Sequence, residues 1–154
     1  MIDFAINITP DFSKLNIKQA EGKKYIFDIF RKKYIRLSPE EFVRQAFLQY
    51  LHYKKGYPKT LISIEKMVKN TKGRYDAMIY SNSGDPLMLI ECKNAETKLN
   101  TKVLEQISRY NIQYGIPYWV ITNGEESYCL SFSEKKKPEY LNDIPNYTEL
   151  IKGK

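Results

Sequence analysis

LMLIECKN, residues 87–94, begins as an apolar run and ends in charge, with Glu91 and Lys93 on either side of Cys92. A short apolar run followed by polar residues is typical of a strand in the interior of a sheet. Side chains alternate between the two faces of a strand, so Glu91 and Lys93 share a face and Cys92 points to the other. The pattern predicts a buried strand whose end carries a polar site.

The residues before this run predict its partner strand. RYDAMIYS, residues 74–81, has strand composition, and the intervening SNSGD is typical of a turn. A turn centred between Ser83 and Gly84 pairs Asp76 with Glu91, and two opposed carboxylates repel unless a cation lies beside them. Two close carboxylates are also ligands for a hard cation such as Mg²⁺. Two interpretations stay open: a metal site, or an ion pair with Lys93 on a wet sheet rim.

A helix is predicted upstream, where Ser38 is a capping residue, Pro39 takes the first helical position and Glu41 follows three residues after the cap. Its apolar face, ending near Lys54, contains Phe42, Val43, Ala46, Phe47, Tyr50 and Leu51. Glu41 has two candidate roles. It completes a capping box, or it lends a third carboxylate to the metal.

A second helix is predicted over residues 101–114, with Gly115 as its end. Gln106 and Tyr110 are four residues apart and share a face, from which an amide and a phenol can reach a phosphate, a base or Lys93. The alternative is that Tyr110 belongs to the core and Gln106 to the surface.

The remaining strands complete a mixed order of helix, three strands, helix and two strands. Strands are predicted over residues 60–68, 118–122 and 127–132, with a tight turn at Asn123-Gly124 and an edge strand around Ile6. Residues 133–154 are expected to be a peripheral tail. The lysine run at 135–137 within it is interpreted as a solvated loop, with a nucleic-acid contact as the alternative.

Composition limits the class of protein. The chain has 154 residues, 42% hydrophobic and 28% charged, which predicts one globular domain over 1–154 with a real core. Its net charge of +7 suits a polyanionic partner such as nucleic acid. Cys92 and Cys129, without CxxC spacing, are interpreted as reduced thiols. The start of the chain does not resemble a secretion signal, and no run reaches the ~20 apolar residues of a membrane span, so a cytoplasmic location is expected.

Asp76, Glu91-Cys92-Lys93 and Gln106-xxx-Tyr110, in that order, resemble the PD-(D/E)xK nucleases. More closely, EEFVRQAFLQYL, GRYDAMIY, LIECKN and LEQISRYN are similar to pieces of the nuclease domain at the N-terminus of type I restriction enzyme R subunits. The resemblance runs from about Tyr25 to Phe132. It implies an α/β fold of the α+β mixed-sheet kind, a restriction-endonuclease-like core with helices flanking a central sheet.

The resemblance also implies a DNA endonuclease of restriction or DNA-defence type that depends on Mg²⁺ or Mn²⁺. Asp76 and Glu91 would bind the metal, the Cys92 carbonyl would add a ligand, and Lys93 would assist the attacking water. Gln106 and Tyr110 would be an accessory pair. Basic residues near the site in sequence are expected to contact DNA: Arg74, Arg109, Lys72, Lys98 and Lys102.

Other functions remain open from the sequence. A non-catalytic DNA-binding or partner-binding module could keep the same fold, and the same chemistry could act on RNA or repair intermediates. The intact set of Asp76, Glu91 and Lys93 favours the enzyme, although Tyr75 stands where the family name has Pro. Cutting two strands with one site per chain favours a homodimer, and the resemblance predicts association with other restriction-system subunits. The chain has no GxxxxGK[ST] loop, so ATP-driven translocation is not expected of it.

Overall fold

The computed structural model describes residues 4–8, 11–67, 74–96, 98–100, 102, 104–105, 115–132 and 138–152. The described residues form two sheets and two complete helices, and residues 102, 104 and 105 belong to a further helix. The strands are β1 (Ile6–Asn7), β2 (Ile17–Ala20), β3 (Lys23–Asp28), β4 (Lys33–Arg36), β5 (Ile62–Met67), β6 (Arg74–Tyr80), β7 (Pro86–Cys92), β8 (Tyr118–Thr122), β9 (Glu126–Phe132) and β10 (Pro138–Leu141). The helices are α1 (Pro39–Lys55) and α2 (Tyr147–Lys152), and 3₁₀ turns span Phe12–Lys14 and Lys59–Leu61.

The large sheet has seven strands in the order β1-β9-β8-β7-β6-β5, with β10 also paired to β9. β7 and β8 run parallel, and the other pairs are antiparallel. The predicted mixed sheet with flanking helices is therefore confirmed. The β5-β6-β7 meander and the edge strand β1 are also as predicted.

The central hairpin has the predicted register. Ala77 pairs with Ile90, and the next two pairs follow the same alignment before an irregularity between Ile79 and Tyr80. Ala77 and Ile90 belong to the main hydrophobic core, which also contains Phe47 of α1. Because faces alternate, the residues preceding Ala77 and following Ile90 belong to the opposite face.

Helix α1 begins as the sequence predicts and ends one residue beyond the predicted Lys54. The Glu41 N–H donates to Ser38 Oγ at 3.0 Å, and Gly56 ends the helix with φ 74°. The predicted capping box is incomplete, since the Glu41 carboxylate pairs with Arg31 and Arg44 instead. A full charge pair stabilises a buried carboxylate better than one backbone N–H does.

A second sheet of three strands, β2-β3-β4, precedes α1, and the sequence analysis did not predict it. Its first turn is Glu21-Gly22, flanked by the pair Ala20 and Lys23, and both turn residues have positive φ. A two-residue turn with two positive φ angles is the favoured hairpin connection. Gly22 in this turn was the sequence feature that could have predicted the hairpin of β2 and β3.

The expectation of a peripheral tail is wrong for residues 138–152. β10 extends the large sheet, and Ile144, Tyr147 and Leu150 are buried in the main core. The Tyr57 hydroxyl donates to the Pro145 carbonyl at 2.8 Å, which fixes this segment to the end of α1. Its apolar residues are few, and Tyr147 and Leu150 give only one pair at helical spacing in a six-residue helix, too little for a periodic signal. The lysine run at 135–137 lies outside the described residues.

The start of the predicted second helix is described. Lys102, Leu104 and Glu105 are helical, and the Leu104 N–H donates to the Asn100 carbonyl at 3.1 Å. Leu104 is buried with Ile121 in a cluster separate from the main core. The rest of the predicted helix lies outside the described residues. Within the described part of the chain, no helix is long and apolar enough to span a membrane.

Candidate active site

Asp76 lies against the end of β7, where the sequence predicted a polar site. The Cys92 N–H donates to Asp76 Oδ2 at 2.7 Å, so the Asp76 carboxylate is next to the backbone between Glu91 and Lys93. The strand alternation puts Asp76 and Glu91 on the same face of the hairpin.

Arg44 of α1 holds the second oxygen of this carboxylate. Its Nη2 lies 3.0 Å from Asp76 Oδ1, and its Nη1 lies 2.8 Å from Glu41 Oε2. Asp76 is therefore fixed by a backbone donor on one oxygen and a guanidinium on the other. A side chain with both oxygens engaged has little freedom to rotate, which is what a metal ligand or catalytic carboxylate requires.

The charged contacts continue from Glu41 into the small sheet. Arg31 pairs with Glu41 through Nη2 and with Asp28 through Nε. Asp28 is fully buried, and its Oδ1 also accepts from the N–H groups of Phe30 and Arg31, at 2.8 and 2.9 Å. We call the chain Asp28–Arg31–Glu41–Arg44–Asp76 the ion network. Its alternating charges satisfy the requirement that buried charges be paired.

Sequence reasoning did not find Asp28, Arg31 or Arg44 as site residues. Glu41 and Arg44 are three residues apart on a predicted helix, a spacing at which opposite charges pair. The ion pair between them could therefore have been predicted from the sequence. Asp28 and Arg31 are equally spaced, but in a turn for which the sequence carried no helical pattern.

Glu91 and Lys93 form a separate pair nearer the solvent. Lys93 Nζ lies 3.3 Å from Glu91 Oε1, and their side chains are 38% and 22% exposed respectively. An exposed pair of this kind contributes about 0–1 kcal/mol, so Lys93 can leave it for a ligand at little cost. The Lys93 backbone is fixed, since its N–H donates to the Thr122 carbonyl at 2.8 Å.

Cys92 is buried, and burial raises the pKa of its thiol well above the usual range. The Asp76 carboxylate raises it further, and the Arg44 guanidinium opposes that effect. The thiol therefore stays protonated. The expected role of the Cys92 carbonyl as a metal ligand stays a prediction.

The side chains of this region suit magnesium in type and in charge. The described carboxylates are those of Asp28, Glu41, Asp76 and Glu91, and the described cations are Arg31, Arg44 and Lys93. Four negative and three positive charges leave one net negative charge. Among the described residues no cluster of three or more acidic, His or Cys side chains could hold a metal. Magnesium is commonly held by only one or two carboxylates, with waters and phosphate oxygens completing its shell. Asp76 and Glu91 fit that requirement.

The predicted DNA-contacting residues are only partly described. Lys98 and Lys102 are exposed, and Arg74 begins β6 opposite Met67. Four residues lie outside the described part of the chain, so their roles stay predictions: Lys72, Gln106, Arg109 and Tyr110.

Two comparisons identify the family and the fold of the chain. The model of a family described as "Type I restriction enzyme R protein N terminus (HSDR_N)" matches residues 39–145. The chain belongs to this family. The match covers α1, the central hairpin and β8 to β10, so it begins later and ends later than the Tyr25–Phe132 range expected from the sequence.

A solved structure supports the same fold. It is a fragment described as an HsdR subunit of a type I restriction enzyme from Vibrio vulnificus YJ016, with a TM-score of 0.52 and 17% sequence identity. The alignment covers 75% of this chain and 25% of that chain, so this chain spans about a quarter of the HsdR fragment. No match was found among curated proteins.

Proposed function

We propose that this R-protein N-terminal domain is a metal-dependent endonuclease that hydrolyses phosphodiester bonds in DNA. The observation that carries the proposal is the Asp76 carboxylate fixed on the Cys92 N–H, at the position where Glu91 and Lys93 extend from the end of β7. The family supplies the restriction-system context.

In this proposal Asp76 and Glu91 bind Mg²⁺ or Mn²⁺, and the Cys92 carbonyl adds a third oxygen. The metal, when bound, would supply Lewis-acid stabilisation of the phosphate and a more acidic water. Arg44 keeps Asp76 oriented, since its guanidinium holds Oδ1. Lys93 turns from Glu91 to position the water or to stabilise charge on the phosphate.

The atoms of the reaction balance without a co-reactant other than water. The water oxygen bonds to phosphorus, the bond from phosphorus to the leaving oxygen breaks, one water proton is released, and the leaving oxygen takes one up. Glu41 acts as a positioning residue, because its two oxygens contact Arg31 and Arg44. A metal ion bound by Glu41 would lie next to the two guanidinium groups that contact its oxygens, which disfavours a role for Glu41 as a third ligand.

One observation favours a second function, a non-catalytic DNA-binding or partner-binding module. Each of the four carboxylates already has a cationic partner among the described residues, so the region is charge-paired without a metal. In that case the ion network would serve only to connect α1 with the two sheets.

The proposal also includes partners and location. DNA is the substrate, and the family favours association with other restriction-system subunits. Cleavage of two strands with one site per chain favours a homodimer. The two buried free cysteines suit the reducing cytoplasm.

Nicking of supercoiled plasmid with Mg²⁺, Mn²⁺ or a chelator tests the proposal. We expect Lys93→Ala to abolish cleavage while DNA binding is retained. Asp76→Asn should abolish cleavage and also weaken Mg²⁺ binding measured by calorimetry. The matched controls Lys59→Ala and Asp85→Asn change exposed residues near the other end of the hairpin, and both should cleave normally.

Equal cleavage by the wild type, Lys93→Ala and Asp76→Asn would overturn the catalytic assignment. Absence of cleavage by the wild type with either metal, together with retained DNA binding, would favour the non-catalytic module.

A further inference from the structure

The segment before α1 carries most of the net positive charge of the chain. Residues 11–36 contain eight Lys and Arg against three Asp and Glu, a net charge of +5 out of the +7 of the whole protein. This segment forms the small sheet, and it lies outside the 39–145 range that matches the family.

The small sheet has one face turned inward and one turned outward. Ile26 and Asp28 of β3 are fully buried, so the residues that alternate with them point the other way. The strand register places the residues of β2 and β4 on the same two sides, although on the inner side Ile17 of β2 is 44% exposed. We call the result the outer face, and its seven described positions are Lys18, Ala20, Lys23, Tyr25, Phe27, Tyr34 and Arg36.

Basic side chains and aromatic rings are interleaved on the outer face. Lys18, Tyr25 and Arg36 form one row across the three strands. Phe27 pairs with Tyr34 in the next row, with ring centroids 5.1 Å apart and edge to face. Lys18 Nζ lies 3.9 Å from the Tyr34 ring centroid, and Tyr34 is 37% exposed. None of the seven positions is acidic.

We propose that the outer face binds a single-stranded segment of DNA. Bases stack on Tyr34 and Tyr25, and phosphates pair with Lys18, Lys23 and Arg36, the combination used by non-specific single-strand binders. A base that stacks on Tyr34 takes the place of the Lys18 ammonium, which is then free to pair with a phosphate. A charged surface that serves only solubility would explain the basic residues but not three rings among them.

The spacing of the rings favours a single strand over a duplex. Tyr25 and Tyr34, the two rings proposed to stack bases, are diagonal neighbours on β3 and β4, a separation of about 7–8 Å, whereas bases in a duplex stack at about 3.4 Å. A single strand can extend and unstack to match this spacing, and a duplex cannot. The alternating rings also distinguish the face from a plain basic patch for an acidic protein.

The inference rests on the proposed function in taking DNA as the ligand, but binding is measured without cleavage. Fluorescence anisotropy of a labelled oligothymidine 20-mer, in chelator and low salt, gives the affinity of the whole chain. Failure of the nuclease proposal would appear as no cleavage with binding intact. Failure of this inference would appear as unchanged affinity in the outer-face variants.

Tyr34→Ala should weaken binding of the oligonucleotide by roughly ten-fold or more, because one stacked base is lost. Tyr34→Phe keeps the ring and should bind as the wild type does. The matched control is Tyr53→Ala: Tyr53 is 49% exposed and has Lys14 Nζ 4.8 Å from its ring centroid, but it belongs to α1. The Tyr53→Ala variant should bind the oligonucleotide as tightly as the wild type does.

Arg36→Ala tests the phosphate contacts. It should weaken binding and lower the slope of log affinity against log salt by roughly 0.7, the value for one phosphate contact on a single strand. An unchanged slope would contradict a phosphate contact at Arg36.

Three results would overturn the inference. They are equal affinities of the wild type and Tyr34→Ala, tighter binding of a 20-base-pair duplex than of the single strand, and displacement of the oligonucleotide by polyglutamate at the same charge concentration. The last result would indicate an acidic protein partner.

Discussion

Replacing Arg44 by Met tests whether the ion network stabilises the fold. Arg44 is buried and contacts Glu41 and Asp76, at 2.8 and 3.0 Å. Removing one partner of a buried ion pair costs about 3–5 kcal/mol, because the remaining charge is left unpaired. Glu41 keeps Arg31, and Asp76 keeps the Cys92 N–H and is 20% exposed. We therefore expect Arg44→Met to lower the free energy of unfolding by about 3 kcal/mol, the low end of that range. This is a large part of a total stability of about 5–15 kcal/mol.

Urea denaturation followed by circular dichroism gives the free energy of unfolding of each variant. Asp143→Asn is the control, since Asp143 is 66% exposed and its pair with Lys55 at 2.9 Å should be worth less than about 1 kcal/mol. Asp76→Asn in the Arg44→Met background removes the unpaired charge. The double variant should lose less stability than the sum of the two single variants.

Two outcomes would refute this reasoning. One is a cost for Arg44→Met no larger than that of the Asp143→Asn control. The other is strict additivity of Arg44→Met and Asp76→Asn, since it would show that the two side chains do not interact energetically.

Three further predictions concern binding and stability. DNA binding should weaken steeply with salt, because a +7 protein that binds phosphates releases counterions, and a flat titration would contradict this. Gly124→Ala should destabilise the protein by about 1–2 kcal/mol through its φ of 97°. An added Cβ would also lie 3.3 Å from Val43 Cγ2, whereas at Gly84, with φ 84°, it would meet nothing within 4 Å. Thermal melting should therefore show a larger loss for Gly124→Ala than for Gly84→Ala, and equal losses would exclude a packing effect. Burial raises the pKa of Cys129 to about 12, above its usual 9.0. The unfolded thiol therefore loses its proton first, and stability falls as pH rises from about 9 towards 12, by at most about 1.4 kcal/mol per pH unit. Urea denaturation at several pH values should show a smaller loss of unfolding free energy with rising pH for Cys129→Ala than for the wild type. Equal losses in the two proteins would contradict the raised pKa of Cys129.

The sequence predicted the large sheet well because its signals are local. Counting from the turn predicted the pairing of Ala77 with Ile90, although next to the turn Tyr80 pairs with Pro86 and the register shifts between Ile79 and Tyr80. The Ser38 cap and Gly56 bounded α1 for the same reason, since capping depends on neighbouring residues. The placement of Asp76 beside the end of β7 needed only that register.

The network around the site could not be predicted in the same way. Periodicity assigned α1 one apolar face, but Arg44, Gln45 and Gln49 are also buried. Gln45 and Gln49 follow Phe42 at i+3 and i+7, so the three share a side of the helix, and Phe12 covers that side by stacking on Phe42 at 5.7 Å. Arg44 lies on another side, where it contacts Glu41 and Asp76. Contacts between segments distant in sequence leave no pattern within either segment.

The ion network connects the two proposed surfaces through β3. Phe27 of β3 belongs to the outer face, and the next residue, Asp28, is buried and holds Arg31. From there the contacts lead through α1 to the carboxylate of Asp76. Arg31 supports the candidate catalytic carboxylate through Glu41 and Arg44, and Asp28 of β3 in turn fixes Arg31. The small sheet lies outside the 39–145 family match, yet it supplies two of the four charged residues that lead to Asp76, namely Asp28 and Arg31. The support of the site thus extends beyond the range that the family model matches.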